Sequence, residues 1–121
     1  SAAVLIGNEM AAEKYGMKPR ARIVSMAAIG SEPTIMLTGP EFAAKKALER
    51  AGMTANDIDL WELNEAFAAV VLRFLDALNV HHSVMNVNGG AIATAHPPAA
   101  TAPITLATPR AHPHRAATPP A

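Results

Sequence analysis

The sequence predicts an α/β fold for residues 1–96 and a disordered tail for residues 97–121. In the first part, short apolar runs alternate with segments of helical periodicity, and this alternation is typical of a sheet covered by helices. The tail contains seven prolines and eight alanines in 25 residues. Proline interrupts helices and strands, and alanine buries too little apolar surface to offset the entropy of ordering the chain.

The chain opens with a predicted strand and helix. Residues 1–7 are apolar and partly β-branched, as short buried strands commonly are. Asn8 is a favourable N-cap for a helix that extends to about Tyr15, and Gly16 suits the left-handed residue that follows a helix. A second strand is expected over residues 21–29.

A second helix is predicted from Pro40 to Ala51. Proline is well tolerated in the first turn, and Glu41 is favourable near the positive end of the helix. Apolar residues follow one face and charged residues the other, so this helix is amphipathic. Gly52 ends it. Residues 54–57 then fit a capping pattern that opens a single helical turn.

The remaining predicted elements are two short strands and a long apolar helix between them. The strands cover residues 58–63 and 84–87, and Asn64 caps a helix over residues 65–78. This helix is apolar on nearly every face and therefore needs cover on all sides, which a chain this short hardly supplies alone. Residues 88–90 form a tight loop.

Charge, cysteine content and hydropathy exclude several function classes. Ten Lys and Arg residues balance ten Asp and Glu residues, so no basic field attracts nucleic acid. Cysteine is absent, which excludes a disulfide framework, a thiolate metal site and a cysteine nucleophile within this chain. No membrane span is predicted, and we expect a cytoplasmic location. The chain begins without methionine inside a strand-like run, which indicates a fragment.

Three short motifs contain the chemistry-bearing side chains. Residues 64–67 read Asn-Glu-Ala-Phe at a strand-to-helix junction, where an asparagine is most often a plain N-cap. Residues 86–93 read Asn-Val-Asn-Gly-Gly-Ala-Ile-Ala, and paired glycines permit a close approach but usually form only a tight turn. His96 follows, and its imidazole titrates near neutrality, although a lone loop histidine is more often a surface residue.

In this order the three motifs resemble the carboxyl-terminal half of a thiolase. The resemblance covers about residues 1–96, and further matching segments are residues 18–24, 38–40 and 46–52. It implies an incomplete thiolase-like βαβα sandwich. Residues 1–20 would end the amino-terminal domain, residues 21–96 would form part of the carboxyl-terminal domain, and residues 97–121 would be a disordered tail.

The resemblance also implies an activity and two catalytic residues. Thiolases are acyltransferases of fatty-acid oxidation that cleave 3-ketoacyl-CoA with coenzyme A or condense two acetyl-CoA molecules. A cysteine accepts the acyl group. By this resemblance His96 helps to activate that cysteine, and Asn64 holds a water that forms an oxyanion hole with the histidine.

Substrate contacts are implied for four further residues. Met36 and Phe67 would line the acyl pocket, whereas Gly89 and Gly90 would let their loop approach the thioester. Coenzyme A is a cosubstrate, and no bound cofactor or metal is implied. A family-like homo-oligomer is possible for a full-length chain. The segment from Ser31 to Met36 leans towards the degradative group of the family.

The sequence departs from the thiolase pattern in ways that affect activity. Both catalytic cysteines of the family are missing, Ala95 replaces the glycine before the histidine, and the pattern is lost after Pro97. The tail is what an out-of-frame reading could produce. For the chain as written we therefore favour a non-catalytic remnant that at most associates with thiolase subunits. A small independent binding module is the weakest reading.

Overall fold

A computed structural model of the protein describes residues 3–94. Within this range the chain forms four α-helices in sequence order and two single 3₁₀ turns. The helices are α1 (Glu9–Lys14), α2 (Gly39–Ala51), α3 (Ala68–Leu78) and α4 (Ala91–Thr94), and the turns are Ala55–Asp57 and His82–Val84. The predicted disordered tail and His96 lie outside the described residues.

Local capping signals place the first helix as predicted. The Asn8 side chain accepts a hydrogen bond from the backbone N–H of Ala11 at 2.9 Å, which satisfies one of the free donors at the start of α1. Gly16 has a φ of +61°, so the chain leaves the helix through the left-handed region. All residues of α1 remain at least partly exposed, and the helix therefore depends on local bonds.

Helix α2 also begins and ends where its sequence signals indicate. Pro40 lies in its first turn and Gly52 adopts the left-handed C-cap conformation with a φ of +67°. Its buried residue is Glu41, whose side chain is only 6% exposed. The Glu41 carboxylate forms an ion pair with Arg73, with 2.9 Å between Oε2 and Nε. Because Arg73 belongs to α3, this pair joins the two helices and compensates the burial of the carboxylate.

The predicted capping pattern after α2 is confirmed. The Asp57 carboxylate accepts hydrogen bonds from the backbone N–H of Thr54 at 2.7 Å and from its hydroxyl at 2.8 Å. These bonds favour the ionised carboxylate and hold the pKa of Asp57 below its usual range. The result is the single 3₁₀ turn that leads into the functional region.

Helix α3 begins three residues later than predicted. The prediction that Asn64 is its N-cap is wrong, because Phe67 occupies that position with an extended backbone (φ −149°, ψ 151°). The reason is a competing tertiary interaction. The side chain of Glu65 forms hydrogen bonds with Asn86 and Ile92, and this holds residues 64–67 out of the helix.

The four predicted strands are not formed within residues 3–94, so the detailed sandwich is not confirmed there. In their place a single parallel bridge joins Trp61 and Met85. The Trp61 N–H donates to the Val84 carbonyl and the Asn86 N–H donates to the Trp61 carbonyl, each at 2.8 Å. Parallel strands usually lie inside a sheet, with a paired strand on both sides. In the described chain the segments around Trp61 and Met85 are paired only with each other, so the pairing stays short.

Residues 21–29 follow the same physical logic. Instead of joining a sheet, this segment is fastened to α2 by long basic side chains. Arg50 donates to the Met26 carbonyl at 2.8 Å and Lys46 donates to the Ala28 carbonyl at 3.4 Å. The predicted strand over residues 21–29 is wrong for the described chain, where Ile23, Val24 and Met26 are all more than half exposed. Strand pairing depends on partners that are distant in sequence, and the apolar pattern does not reveal them.

The hydrophobic core is small and centres on one face of α3. Val71 and Phe74 pack with Met85, and the Trp61 ring meets the Phe74 ring edge to face at a centroid distance of 5.4 Å. The opposite face is open, since Leu72 is 65% exposed. The expectation that this apolar helix lacks complete cover within the chain agrees with this burial.

Replacing Phe74 with alanine is expected to destabilise the chain strongly. The substitution removes the ring that packs on Trp61 and leaves a cavity, which costs about 3–5 kcal/mol for buried aromatic residues. Urea unfolding followed by tryptophan fluorescence measures the change. Leu72→Ala on the exposed face of the same helix is the matched control and should change the unfolding free energy by about 0.5 kcal/mol or less. Equal effects would contradict the assigned core.

Candidate functional site

Asn86 turns the chain at the end of the single β-bridge. It is 8% exposed and has a φ of +47°, a left-handed conformation that asparagine tolerates better than most residues. Its carbonyl accepts a hydrogen bond from the Gly89 N–H at 2.8 Å, which closes a tight turn. The backbone therefore cannot continue the parallel pairing beyond Met85.

The side chain of Asn86 takes over where its backbone leaves the pairing. Its Oδ1 atom accepts from the Leu63 N–H at 2.8 Å, and its Nδ2 atom donates to the Leu63 carbonyl at 2.9 Å. The same Nδ2 atom donates its second hydrogen to Glu65 Oε1 at 2.8 Å. Both amide hydrogens are used, so this buried polar group is well satisfied.

Glu65 connects this amide with the glycine loop. Its Oε2 atom accepts a hydrogen bond from the backbone N–H of Ile92 at 2.9 Å. Gly90 lies directly against the carboxylate, and a Cβ atom at this position would overlap the Glu65 carboxylate atoms. The residue next to Asn64 thus fastens residues 86–92 to the segment before α3. We name the group of Leu63, Glu65, Asn86, Gly90 and Ile92 the carboxylate bridge.

Asn64 lies between two members of the carboxylate bridge, Leu63 and Glu65. Its Oδ1 atom is buried. Gly90 belongs to the bridge, and Gly89 precedes it with a φ of +88°, a conformation that favours glycine. The structure therefore brings together three of the residues singled out in the sequence. His96 follows Ile92 by four residues and lies outside the described range.

The other two sequence-predicted site residues occupy more open positions. Phe67 is 65% exposed at the start of α3, and Met36 is 61% exposed with a φ of +56°. Met36 ends a turn held by Glu32, whose carboxylate accepts from the backbone N–H groups of Thr34 at 2.9 Å and Ile35 at 2.6 Å. These bonds lower the pKa of Glu32. The side chains of Phe67 and Met36 therefore both have exposed apolar surface for a contact.

A second carboxylate lies close to the bridge. The Oε1 atom of Glu62 is buried and has no hydrogen-bond partner among residues 3–94. Burial disfavours its ionised form and raises the pKa of Glu62, and the nearby Glu65 carboxylate raises it further. In the described part of the chain, no cluster of three acidic or histidine side chains could hold a metal ion. Nor does this part contain a helix that could span a membrane.

Sequence reasoning missed Glu65 and Asn86 as members of the site. Both residues lie inside the motifs described above, next to Asn64 and close to the paired glycines. A usable signal was present, because an asparagine immediately before a turn with paired glycines often bonds to nearby backbone. The carboxylate at residue 65 gave no comparable signal, since its partners are 21 and 27 residues away.

Comparison with known proteins identifies the family. Residues 17–109 match the family described as thiolase, C-terminal domain, which is more than half of the chain. The chain belongs to the thiolase family. The match continues beyond residue 96, where the motif resemblance was expected to end.

Two curated thiolases illustrate the relationship. The 3-ketoacyl-CoA thiolase of Cronobacter sakazakii is 50% identical over 100 residues, which cover 80% of this chain and 26% of that protein. The 3-ketoacyl-CoA thiolase of Salmonella typhimurium is 49% identical over 100 residues, which again cover 80% of this chain and 26% of that protein. The chain therefore spans about a quarter of the length of the curated thiolases it matches.

A solved structure supports the fold. The acetyl-CoA acetyltransferase of Bacillus anthracis matches with a TM-score of 0.75 and 37% sequence identity, over 85% of this chain and 28% of that protein. The thiolase-like fold predicted from the sequence is confirmed at this level. The resemblance to thiolases is confirmed as well, with the motifs as its local basis.

Replacing Gly90 with alanine is expected to disrupt the carboxylate bridge of this thiolase-family chain. The new Cβ atom meets the Glu65 carboxylate, which must move away from Asn86 or Ile92. Overpacking of this kind costs about 1–3 kcal/mol of unfolding free energy, measurable by urea denaturation. Gly30→Ala is the control, because a Cβ atom there meets no other atom within 4 Å. A fully stable Gly90→Ala variant would argue against the close contact.

Glu62 should make the stability of the chain fall as the pH rises. A carboxyl group whose pKa is raised in the folded state contributes its full share to the free energy of unfolding while it is protonated in both states. This share is lost as the pH rises from the unfolded pKa through the folded pKa. Glu62→Gln should therefore gain stability relative to the native chain above the ordinary glutamate value of 4.5. Unfolding curves between about pH 4 and pH 8 measure this difference. Glu49→Gln, which removes one negative charge from the exposed surface of α2, is the matched control for the change in net charge.

Proposed function

We propose that this chain forms part of a thiolase acyl-CoA site, in which Asn64 and His96 stabilise an enolate while another segment or chain supplies the cysteine. The single observation that supports this proposal most directly is the carboxylate bridge. It holds the segment with Asn64 against the glycine loop, so that two family motifs that are distant in sequence are neighbours. The substrates on this proposal are 3-ketoacyl-CoA and coenzyme A, or acetyl-CoA in the reverse direction.

The proposed chemistry is a carbon–carbon bond cleavage followed by acyl transfer. His96 accepts the proton of a cysteine thiol from outside the printed sequence, and the sulfur attacks the keto carbon. The bond between this carbon and the α-carbon then breaks. The electron pair moves into the thioester and gives the enolate of acetyl-CoA. His96 and a water held by Asn64 donate hydrogen bonds to the enolate oxygen, and the enolate carbon then takes a proton from the family's second cysteine, which also lies outside the printed sequence. Coenzyme A finally removes the acyl group from the cysteine.

The proposed acyl pocket uses two exposed apolar side chains. Met36 and Phe67 are more than half exposed in the described chain, so an acyl group would gain by covering them. Gly89 and Gly90 would let the backbone approach the thioester. The tight contact of Gly90 with Glu65 gives this glycine a structural reason as well. On this proposal residues 21–96 are part of the carboxyl-terminal domain and residues 1–20 end the preceding one.

We further propose that the chain alone has no thiolase activity. The printed sequence contains no cysteine, and acyl transfer through a covalent intermediate requires a nucleophile. The second candidate function is therefore a non-catalytic remnant that associates with thiolase subunits. Its support is the uncovered apolar surface, which includes the exposed side chains of Leu72 and Ile92.

A hybrid enzyme tests the catalytic proposal. Residues 17–97 of this chain replace the aligned segment in the Cronobacter sakazakii thiolase, which provides its own cysteines. We expect this hybrid thiolase to cleave acetoacetyl-CoA in the presence of coenzyme A, whereas the purified 121-residue chain shows no turnover. Asn64→Ala and His96→Ala should each lower the kcat of the hybrid about a hundredfold or more, as for loss of an oxyanion-hole donor.

The control substitution is Asn56→Ala, which removes an exposed amide in the turn after α2 and should leave kcat within about twofold of the hybrid. Because Ala95 departs from the family glycine, an Ala95→Gly hybrid is assayed in parallel. If both hybrids fold but neither turns over substrate, the catalytic proposal fails. Copurification of the native chain with thiolase subunits would then favour the remnant.

A further inference from the structure

We infer that Glu65 is a positioning residue that holds the glycine loop, residues 86–92, against the segment that carries Asn64. This inference deepens the proposed function and rests on it. Glu65 itself contacts neither the substrate nor the cysteine on this view. Its carboxylate acts through the two motifs that it joins.

Each carboxylate oxygen of Glu65 has a separate partner. Oε1 accepts from Asn86 Nδ2 at 2.8 Å, and Oε2 accepts from the Ile92 N–H at 2.9 Å. Hydrogen bonds to an ionised acceptor are stronger than neutral ones. Since the two partners lie on opposite sides of the glycine loop, the carboxylate fixes both ends of that loop at once.

Glu65 also gives the Ile92 N–H an acceptor that its own helix does not supply. Ile92 is the second residue of the short helix α4, and N–H groups in the first turn of a helix have no acceptor within it. Glu65 provides that acceptor from a different part of the chain. The carboxylate therefore stabilises the beginning of α4, four residues before His96 in the sequence.

The glycine loop also packs directly on Glu65 at Gly90. The absence of a side chain there allows the backbone to lie directly on the Glu65 carboxylate. This contact restricts the position of the loop by packing as well as by hydrogen bonding. Enolate stabilisation depends on hydrogen-bond donors that are held in place within a fraction of an ångström. Loosening this contact should therefore lower kcat much more than it weakens substrate binding.

Amide hydrogen exchange in the full 121-residue chain provides the first test. We expect the Ile92 N–H to be protected in the native chain and to exchange about tenfold faster or more in Glu65→Ala. Glu65→Gln keeps one acceptor oxygen and should lie between the two. Glu62→Gln is the matched control, and Ile92 should remain protected in it. Amides in the middle of α2 and α3 report any global loss of structure.

The kinetic test uses the hybrid thiolase. Glu65→Ala should lower kcat about tenfold or more while KM stays within about twofold, and Glu65→Gln should recover part of the loss. A purely structural role would lower the amount of folded enzyme without a change in the kcat of the folded fraction. That result would overturn the inference. Unchanged exchange of the Ile92 N–H in Glu65→Ala would overturn it as well.

The two tests separate the inference from the proposed function. If the parent hybrid is inactive, the proposed catalytic role of Asn64 and His96 fails, and exchange at Ile92 still decides whether Glu65 holds the loop. If the parent is active and Asn64→Ala is slow but Glu65→Ala retains full kcat, the proposed function stands and the positioning role of Glu65 is wrong.

Discussion

The hydrogen bonds of the Asn86 side chain are the interaction on which the rest of the site depends. A single parallel bridge ends at Met85, and its backbone pairing cannot continue because Asn86 turns away in the left-handed conformation. The amide side chain replaces the next backbone pair by bonding to both the N–H and the carbonyl of Leu63. An amide is suited to this because it presents one acceptor and two donors, like a short stretch of backbone.

The bonding of the Asn86 side chain to Leu63 also gives the carboxylate at residue 65 its role. After Asn86 has satisfied Leu63, one amide hydrogen remains, and Glu65 accepts it. The other carboxylate oxygen is then directed towards the start of α4. The two motifs that mark this chain as a thiolase relative are thus parts of one hydrogen-bonded unit. Their joint presence is informative because each satisfies polar groups that the other leaves buried.

The parts of the fold that sequence reasoning predicted well are those controlled by near neighbours. Asn8 with α1, Gly52 at the end of α2, and the bond between Thr54 and Asp57 all act within four residues, so their chemistry is visible in the sequence. The predicted start of α3 is wrong because the Glu65 side chain forms hydrogen bonds with residues more than 20 positions away. Such tertiary interactions override local helix propensity.

The strands could not be predicted for a related reason. An apolar run shows that one side of a segment is buried, but a strand forms only when a partner lies at the correct distance and register. Trp61 and Met85 have such a partner in each other, and the neighbouring rows of a sheet are not formed in the described chain. For the candidate site, the sequence pointed to Asn64 and to the paired glycines, but not to the carboxylate and amide that connect them.

The uneven burial of α3 connects the fold with the proposed function. One face of this helix packs Phe74 against Trp61, the residue that also forms the bridge to Met85. The core therefore anchors the same segment that continues into Asn64 and Glu65. The other face exposes Leu72, and Phe67 at the helix start is equally open. Apolar surface of this kind is stabilised by cover, and a thiolase catalytic centre also requires a cysteine that this sequence does not contain. On the proposed function the cysteine belongs to a second protein segment, and cover of this apolar surface by that segment would stabilise the chain as well.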